Sequence, residues 1–86
     1  MHSDTWAAIE TRTHDADARY GDFASTHEAL GVAMEEWDEL RDAIRANDLE
    51  AVCNEALDLA TVLIRLHDQV RDSAALRGRS VPKGKT

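Results

Sequence analysis

The sequence has few of the residues that build disulfides, rigid turns or basic surfaces. Its 86 residues include one cysteine, Cys53, and one proline, Pro82. A single cysteine excludes an internal disulfide and a cysteine-rich zinc site. Ten lysines and arginines against 17 aspartates and glutamates give a net charge of -7. This balance argues against nucleic acid as the main partner, because binding to phosphates needs a basic surface.

Long hydrophobic runs are also missing. Residues 1–10 lack the basic start and apolar core of a signal peptide. The longest strongly apolar run, residues 56–64, contains Asp58, which excludes a membrane span. We therefore expect a cytoplasmic protein without a membrane partner. Since a chain this short buries only about 60% of its unfolded surface, we also expect a homo-oligomer, either a dimer or a tetramer.

The apolar residues recur at helical spacing, without an alternating strand pattern or an internal repeat. We predict three helices, over residues 5–19, 26–46 and 49–76. The short connection between the second and third predicts an antiparallel hairpin. The fold class is therefore all-α, a small antiparallel helical bundle completed by oligomerisation. We expect one domain over residues 1–86, with residues 78–86 as a flexible tail.

Local signals mark the ends of these helices. Ser3 or Asp4 is the predicted cap of the first helix. Ser25 and Glu28 form a capping box at the start of the second. After it, Asn47 suits a left-handed turn, and Asp48 can cap the third helix.

Two helices carry apolar residues that we expect to be covered. The second helix has one stripe, apolar except for Arg41, with Trp37 at its centre, which predicts a core or a dimer interface. The first half of the third helix is apolar on nearly every side, and we expect it to be buried on several faces. Cys53, flanked by apolar neighbours, is predicted to be buried.

Two pairs of acids do not fit a plain bundle. Glu55 and Asp58 share one helix face and interrupt the most apolar segment. Glu36 and Glu39 have the same spacing on the preceding helix. Because Glu39 and Glu55 lie equally far from the turn at Asn47, an antiparallel hairpin brings the two pairs to the same level.

Carboxylates this close repel strongly, by about 3–4 kcal/mol for each close pair. Shifted pKa values or a bound divalent cation can offset this repulsion. Ligands that are all oxygen suit Mg²⁺, Mn²⁺ or Ca²⁺. An ion pair with Arg41, Arg45 or Arg65 is the alternative partner for the same acids.

The acids also form a motif, Glu35-Glu36-x-x-Glu39 followed by Glu55-x-x-Asp58. It resembles the MazG-like, all-α nucleoside triphosphate pyrophosphohydrolases, which carry EExxE on one helix and ExxD on the next. By position, the resemblance implies that the last four of these acids bind Mg²⁺, with Mn²⁺ as a substitute. It implies that Glu35 orients a ligand or a nucleophilic water, so that all five acids are catalytic.

The family hydrolyses a nucleoside triphosphate between the α and β phosphates, which gives a monophosphate and pyrophosphate. The resemblance therefore implies that a (d)NTP is the substrate of this chain. The chain departs from the family pattern because no fourth helix is predicted, where family members often place basic residues that contact phosphate. By charge alone, Arg65, Arg71, Lys83 and Lys85 are candidates for that role, and ordinary surface cations are the alternative.

Two other interpretations stay open. The chain can be a catalytically weak or inactive module of the same ancestry that binds a nucleotide or a partner protein. It can also be a structural helical oligomer whose acids are exposed or paired with arginine.

Overall fold

In a computed structural model, which describes residues 2–72, the chain forms three helices. They are α1 (Ser3–Tyr20), α2 (Thr26–Arg45) and α3 (Leu49–Asp72). The all-α fold class and the order of the helices are confirmed, and the described residues contain no strand. No helix among them is long and apolar enough to cross a membrane. The predicted end of the third helix at residue 76 and the tail over 78–86 lie outside the described residues.

The start of α1 differs from the prediction. His2 is the N-cap, in an extended backbone conformation, and its side chain caps nothing. Two backbone amides in the first turn of α1 donate hydrogen bonds to the His2 carbonyl, at 3.1 and 3.2 Å. The prediction of Ser3 or Asp4 as the cap is therefore wrong, and Asp4 lies inside the first turn, where a negative charge favours the helix dipole.

The capping box at the start of α2 is present in a shifted form. The Ser25 hydroxyl accepts a hydrogen bond from the Glu28 amide at 3.1 Å. The Glu28 carboxylate accepts from the amide of Ala24 at 2.8 Å, one residue before the cap. Two backbone donors are thereby satisfied at the helix entrance.

The turn between α2 and α3 follows the predicted chemistry. Asn47 has a φ of 56°, in the left-handed region. Its amide donates to the carbonyl of Ile44 at 3.0 Å, and the amide of Asp48 donates to the carbonyl of Ala43 at 3.1 Å, which is a Schellman ending. The Asp48 carboxylate then caps α3 by accepting from the Ala51 amide at 3.2 Å. This tight turn sets α2 and α3 antiparallel.

The helix α3 is the centre of the fold. It packs against α1 and α2, whereas no Cα atom of α1 comes within 8 Å of α2 over the described residues. Phe23, Ala29 and Val62 form a buried cluster, and three partly buried residues pack around it: Val32, Ala33 and Leu66. Because α1 and α2 stay apart, a cleft lies between them.

A buried arginine ties α1 and the following loop to α3. Arg65 is 5% exposed. Its Nε donates to Asp17 Oδ1 at 2.8 Å and its Nη2 to the carbonyl of Gly21 at 2.7 Å. Its guanidinium carbon lies 4.6 Å from the centre of the Phe23 ring, and Gln69 accepts the Phe23 amide at 2.8 Å. Arg65 therefore has a structural role.

Of the two predictions for the apolar stripe, the core is wrong for the single chain and the dimer interface stays a prediction. Its large side chains on α2 are between 52% and 58% exposed: Leu30, Met34, Trp37 and Ile44. On α3, Leu49 and Leu63 are exposed, and so is Cys53. The pattern predicts an apolar face that avoids water. In the structure, α2 instead turns the adjacent face, which carries Ala29 and Ala43, toward the core. Nothing within residues 2–72 covers the stripe.

We expect Arg65→Ala to lower the free energy of unfolding by about 2–3 kcal/mol, because it removes two hydrogen bonds and a ring contact from a buried site. Urea denaturation of the wild type and the variant measures this loss. Arg71→Ala is the control, since Arg71 is exposed and pairs with neighbours on its own helix, and we expect little change. Equal stability of Arg65→Ala and the wild type contradicts the structural role.

Candidate metal centre

The hairpin brings acids from α2 and α3 together. One carboxylate oxygen each from Glu36, Glu39 and Glu55 lies within 4.8 Å of the others. The register predicted from their distances to the turn therefore holds for three of the four proposed ligands. We call these three residues the acidic cluster.

Glu36 is the electrostatic centre of the cluster. Burial and then the charge of Glu39 raise its pKa from 4.5 to about 7, with smaller contributions from Asp58, Glu55 and Glu35. Its Oε2 is shielded from solvent and has no hydrogen-bond partner among the described residues. A shielded carboxylate oxygen without a donor is an arrangement that a cation satisfies.

Partial burial and neighbouring carboxylates also raise the pKa of Glu55. Desolvation and the charge of Glu39 raise its pKa, and contacts within hydrogen-bonding range of Asp58 and Glu39 raise it further. Two carboxylates share a hydrogen bond only when one of them holds a proton. Proton binding is therefore one way to relieve the repulsion within the cluster.

The fourth predicted ligand, Asp58, is paired with an arginine. Its Oδ1 accepts a hydrogen bond from Nη1 of Arg12 on α1, and the same nitrogen donates to the carbonyl of Asn54 at 3.3 Å. The sequence did not single out Arg12, which is 46 residues away from Asp58. An internal cation thus pairs with a carboxylate that the motif assigns to metal binding.

Two of the three arginines that the sequence offered as partners for the acids pair with other residues. Arg41 pairs with Asp38 on its own helix at 3.1 Å, and Arg65 pairs with Asp17. Among the proposed phosphate contacts, Arg71 pairs with Asp68 and Asp72. The other two, at positions 83 and 85, lie outside the described residues. Glu35, the first acid of the motif, is exposed beside the cluster.

A cleft of about 860 Å³ between α1 and the hairpin reaches this site. Glu36 and Asp58 line it, together with two arginines of α1, Arg12 and Arg19. The Arg19 guanidinium carbon lies 5.9 Å from the centre of the Tyr20 ring, which also lines the cleft. Its volume is within the range of small-molecule sites, about 300–1,000 Å³.

The acidic cluster offers only carboxylate oxygens, which are the type of ligand that suits Mg²⁺, Mn²⁺ or Ca²⁺. Two oxygens on opposite sides of such an ion lie about 4–5 Å apart, which matches the spread of the three oxygens. The unpartnered oxygen of Glu36 supports the same fit.

Comparisons with known proteins add no relative to this picture. No protein-family model, curated protein or solved structure matches the chain. The MazG-like resemblance therefore depends on the motif of five acids, and the function it implies is a proposal.

Because the pKa of Glu36 is higher in the folded chain than in the unfolded chain, proton binding by Glu36 stabilises the fold. This stabilisation is complete below pH 4.5. It is lost as the pH rises toward about 7. We expect Glu36→Gln, in chelator at pH 8, to raise the free energy of unfolding by about 1–2 kcal/mol, since partial exposure weakens the repulsion. Unfolding curves from pH 4 to 8 measure this effect. Glu50→Gln, an exposed glutamate of the first turn of α3, is the control, and an unchanged pH profile for Glu36→Gln contradicts this account.

Arg12 and a metal ion compete for Asp58 if the acid is a ligand. We expect Arg12→Gln to lower the melting temperature in chelator and to increase the rise in melting temperature caused by Mn²⁺. Differential scanning calorimetry with and without Mn²⁺ measures both effects. Arg19→Gln is the control, because Arg19 also lines the cleft from α1. An identical response to Mn²⁺ in both variants argues against competition at Asp58.

Proposed function

We propose that the chain is a Mg²⁺-dependent nucleoside triphosphate pyrophosphohydrolase, with Mn²⁺ as a substitute. The observation that carries the proposal is the convergence of Glu36, Glu39 and Glu55, with a shielded and unpartnered oxygen on Glu36. These residues belong to the motif that resembles the MazG-like enzymes. The proposed reaction converts a (d)NTP and water to a nucleoside monophosphate and pyrophosphate.

The acids of the motif have different roles in the proposed reaction. Glu36, Glu39 and Glu55 would hold the cation, and Asp58 would join them on leaving Arg12. The chemistry supplied by Mg²⁺ there would be neutralisation of phosphate oxygens and a lower pKa for a water molecule. Glu35 lies beside the cluster and orients a ligand or the attacking water. A carboxylate next to that water accepts its proton.

The arginines of α1 supply a further part of the proposal. Arg12 and Arg19 line the cleft on the side opposite α2, where their guanidinium groups can donate to phosphate oxygens. They replace Arg65 in this role, because Arg65 is committed to Asp17 and Gly21. Asp15 and Asp22 also line the cleft, so a chain with a net charge of -7 depends on a bound cation as well as these arginines to attract an anionic substrate.

The proposal also covers the partners, the cellular location and the oligomeric state of the protein. A nucleoside triphosphate is its small-molecule partner, and neither nucleic acid nor a membrane is part of the proposal. We place it in the cytoplasm as a homo-oligomer, and the exposed apolar side chains of α2 support the oligomer.

One observation favours a second function, that of a module which binds a nucleotide without hydrolysing it or which binds a partner protein. The ion pair with Arg12 gives Asp58 a partner without any metal. If this pair persists when the cleft is filled, the site keeps only three acids for the cation. Nucleotide binding with no release of pyrophosphate is the result expected from such a module.

Release of pyrophosphate from a panel of canonical and modified (d)NTPs, with Mg²⁺ or Mn²⁺, tests the proposed reaction. We expect turnover by the wild type and a loss of at least about 100-fold in Glu55→Gln, because the variant removes one ligand charge. Glu50→Gln is the matched control on the same helix, five positions from Glu55, and should keep full activity. The absence of turnover for every nucleotide at high enzyme concentration contradicts the proposal, and nucleotide binding under those conditions supports the second function.

A further inference from the structure

The cleft between α1 and the hairpin has two ends of different chemistry. Arg12, Glu36 and Asp58 line one end, beside the acidic cluster. Along α2, Glu28 precedes Glu36 by eight residues, which places the other end about 12 Å away at 1.5 Å per residue. We call that other end the loop end, and its lining residues are Tyr20, Gly21, Asp22, Phe23 and Glu28.

The loop between α1 and α2 is fixed against α3 at this end. The carbonyl of Gly21 accepts from Nη2 of Arg65 at 2.7 Å, and the amide of Phe23 donates to Gln69 at 2.8 Å. Asp22 stands between these two bonded residues. Its backbone is therefore held in place relative to the cleft, as a residue that recognises a ligand requires.

Tyr20 gives the loop end an accessible aromatic ring. The residue is 69% exposed, although its ring is large and apolar. The guanidinium carbon of Arg19 lies over the ring, 5.9 Å from its centre, which leaves the second face to a planar ligand. Purine and pyrimidine bases stack on such rings, and stacking tolerates any base because every base has a π face.

The middle of the cleft is apolar. Val32, which lies midway between Glu28 and Glu36 along α2, lines it together with Val62 of α3. A ligand that fits the whole cleft is therefore charged at one end, less polar in the middle and planar at the other end. A nucleoside joined to a phosphate has this order of groups and a comparable length.

Asp22 adds a preference among bases. It is exposed, and no ion pair within residues 2–72 involves it. An ionised carboxylate accepts hydrogen bonds and donates none. The amino groups of cytosine and adenine donate, whereas the carbonyl oxygen at the same position of uracil or hypoxanthine accepts. A carboxylate at the edge of the base therefore favours the amino group and repels the carbonyl.

We propose that the loop end holds the base of the nucleotide, and that Asp22 selects a base with an exocyclic amino group, as in cytosine or adenine. Tyr20 stacks on the base, and the Asp22 carboxylate accepts a hydrogen bond from the amino group. This inference rests on the proposed nucleotide site. It does not depend on hydrolysis, because both contacts are made in the bound state.

Two pairs of nucleotides isolate the amino group. The α,β-imido analogues of dCTP and dUTP, and those of dATP and dITP, differ by an amino group replaced with a carbonyl. Isothermal titration calorimetry with Mn²⁺ measures their binding to the full chain. We expect the amino member of each pair to bind at least about tenfold more tightly. Because an amide can also donate to a carbonyl, Asp22→Asn should bring each ratio to within about twofold. Asp42→Asn, the same change at an exposed position outside the cleft, should leave both ratios unchanged.

Tyr20 is tested separately from Asp22. Tyr20→Ala should weaken all four analogues by about tenfold without changing the ratios, and Tyr20→Phe should bind like the wild type. Trp6→Ala is the control, since Trp6 is an exposed aromatic residue of α1 outside the cleft. Circular dichroism checks that each variant keeps its helices.

The outcomes separate base selection from hydrolysis. Equal affinities within each pair overturn base selection, and so do ratios that persist in Asp22→Asn. Binding with the expected ratios supports it even if dCTP itself releases no pyrophosphate, a result that contradicts the proposed hydrolysis alone. Failure of every analogue to bind contradicts both proposals.

Discussion

Repulsion between carboxylates that face each other across two packed helices is the constraint on which the site depends. The tight turn at Asn47 sets the register of α2 and α3 and so brings Glu36, Glu39 and Glu55 together. Such a cluster is unfavourable unless something neutralises it. In the chain alone, the raised pKa of Glu36 and the ion pair of Asp58 with Arg12 provide that relief. A divalent cation is the alternative that the ligand chemistry favours.

The position of α1 also depends on the pairing of charged side chains. Arg65 holds the end of α1 against α3 through Asp17 and Gly21. This contact positions Arg12 above Asp58 and leaves α1 apart from α2. The cleft is therefore a consequence of how α1 is anchored. Arg12, Asp15 and Arg19 line it from α1, and Glu36 and Asp58 line it from the hairpin. Arg65 has a structural role alone, whereas Arg12 combines its ion pair with Asp58 and the proposed contact with phosphate.

The sequence predicted those features that depend on neighbouring residues. The roles of Ser25, Asn47 and Asp48 at the helix ends follow from local hydrogen bonding, and the level of the acids follows from the turn. The pair of Arg12 with Asp58 could not be foreseen, because no periodicity links residues 46 positions apart. The burial of Cys53 was predicted wrongly, since an apolar pattern marks a face that avoids water without stating what covers it.

Proton binding and the proposed cation binding compete for the same carboxylates of the acidic cluster, and this links the fold to the proposed chemistry. The most direct measurement is a crystal structure grown with Mn²⁺ and a non-hydrolysable nucleotide, with anomalous diffraction recorded to locate manganese. The account predicts a manganese peak bound by oxygens of Glu36, Glu39 and Glu55, with Asp58 turned from Arg12 toward the ion. A cluster that holds no manganese, while Arg12 keeps Asp58 and the nucleotide is bound elsewhere, contradicts it.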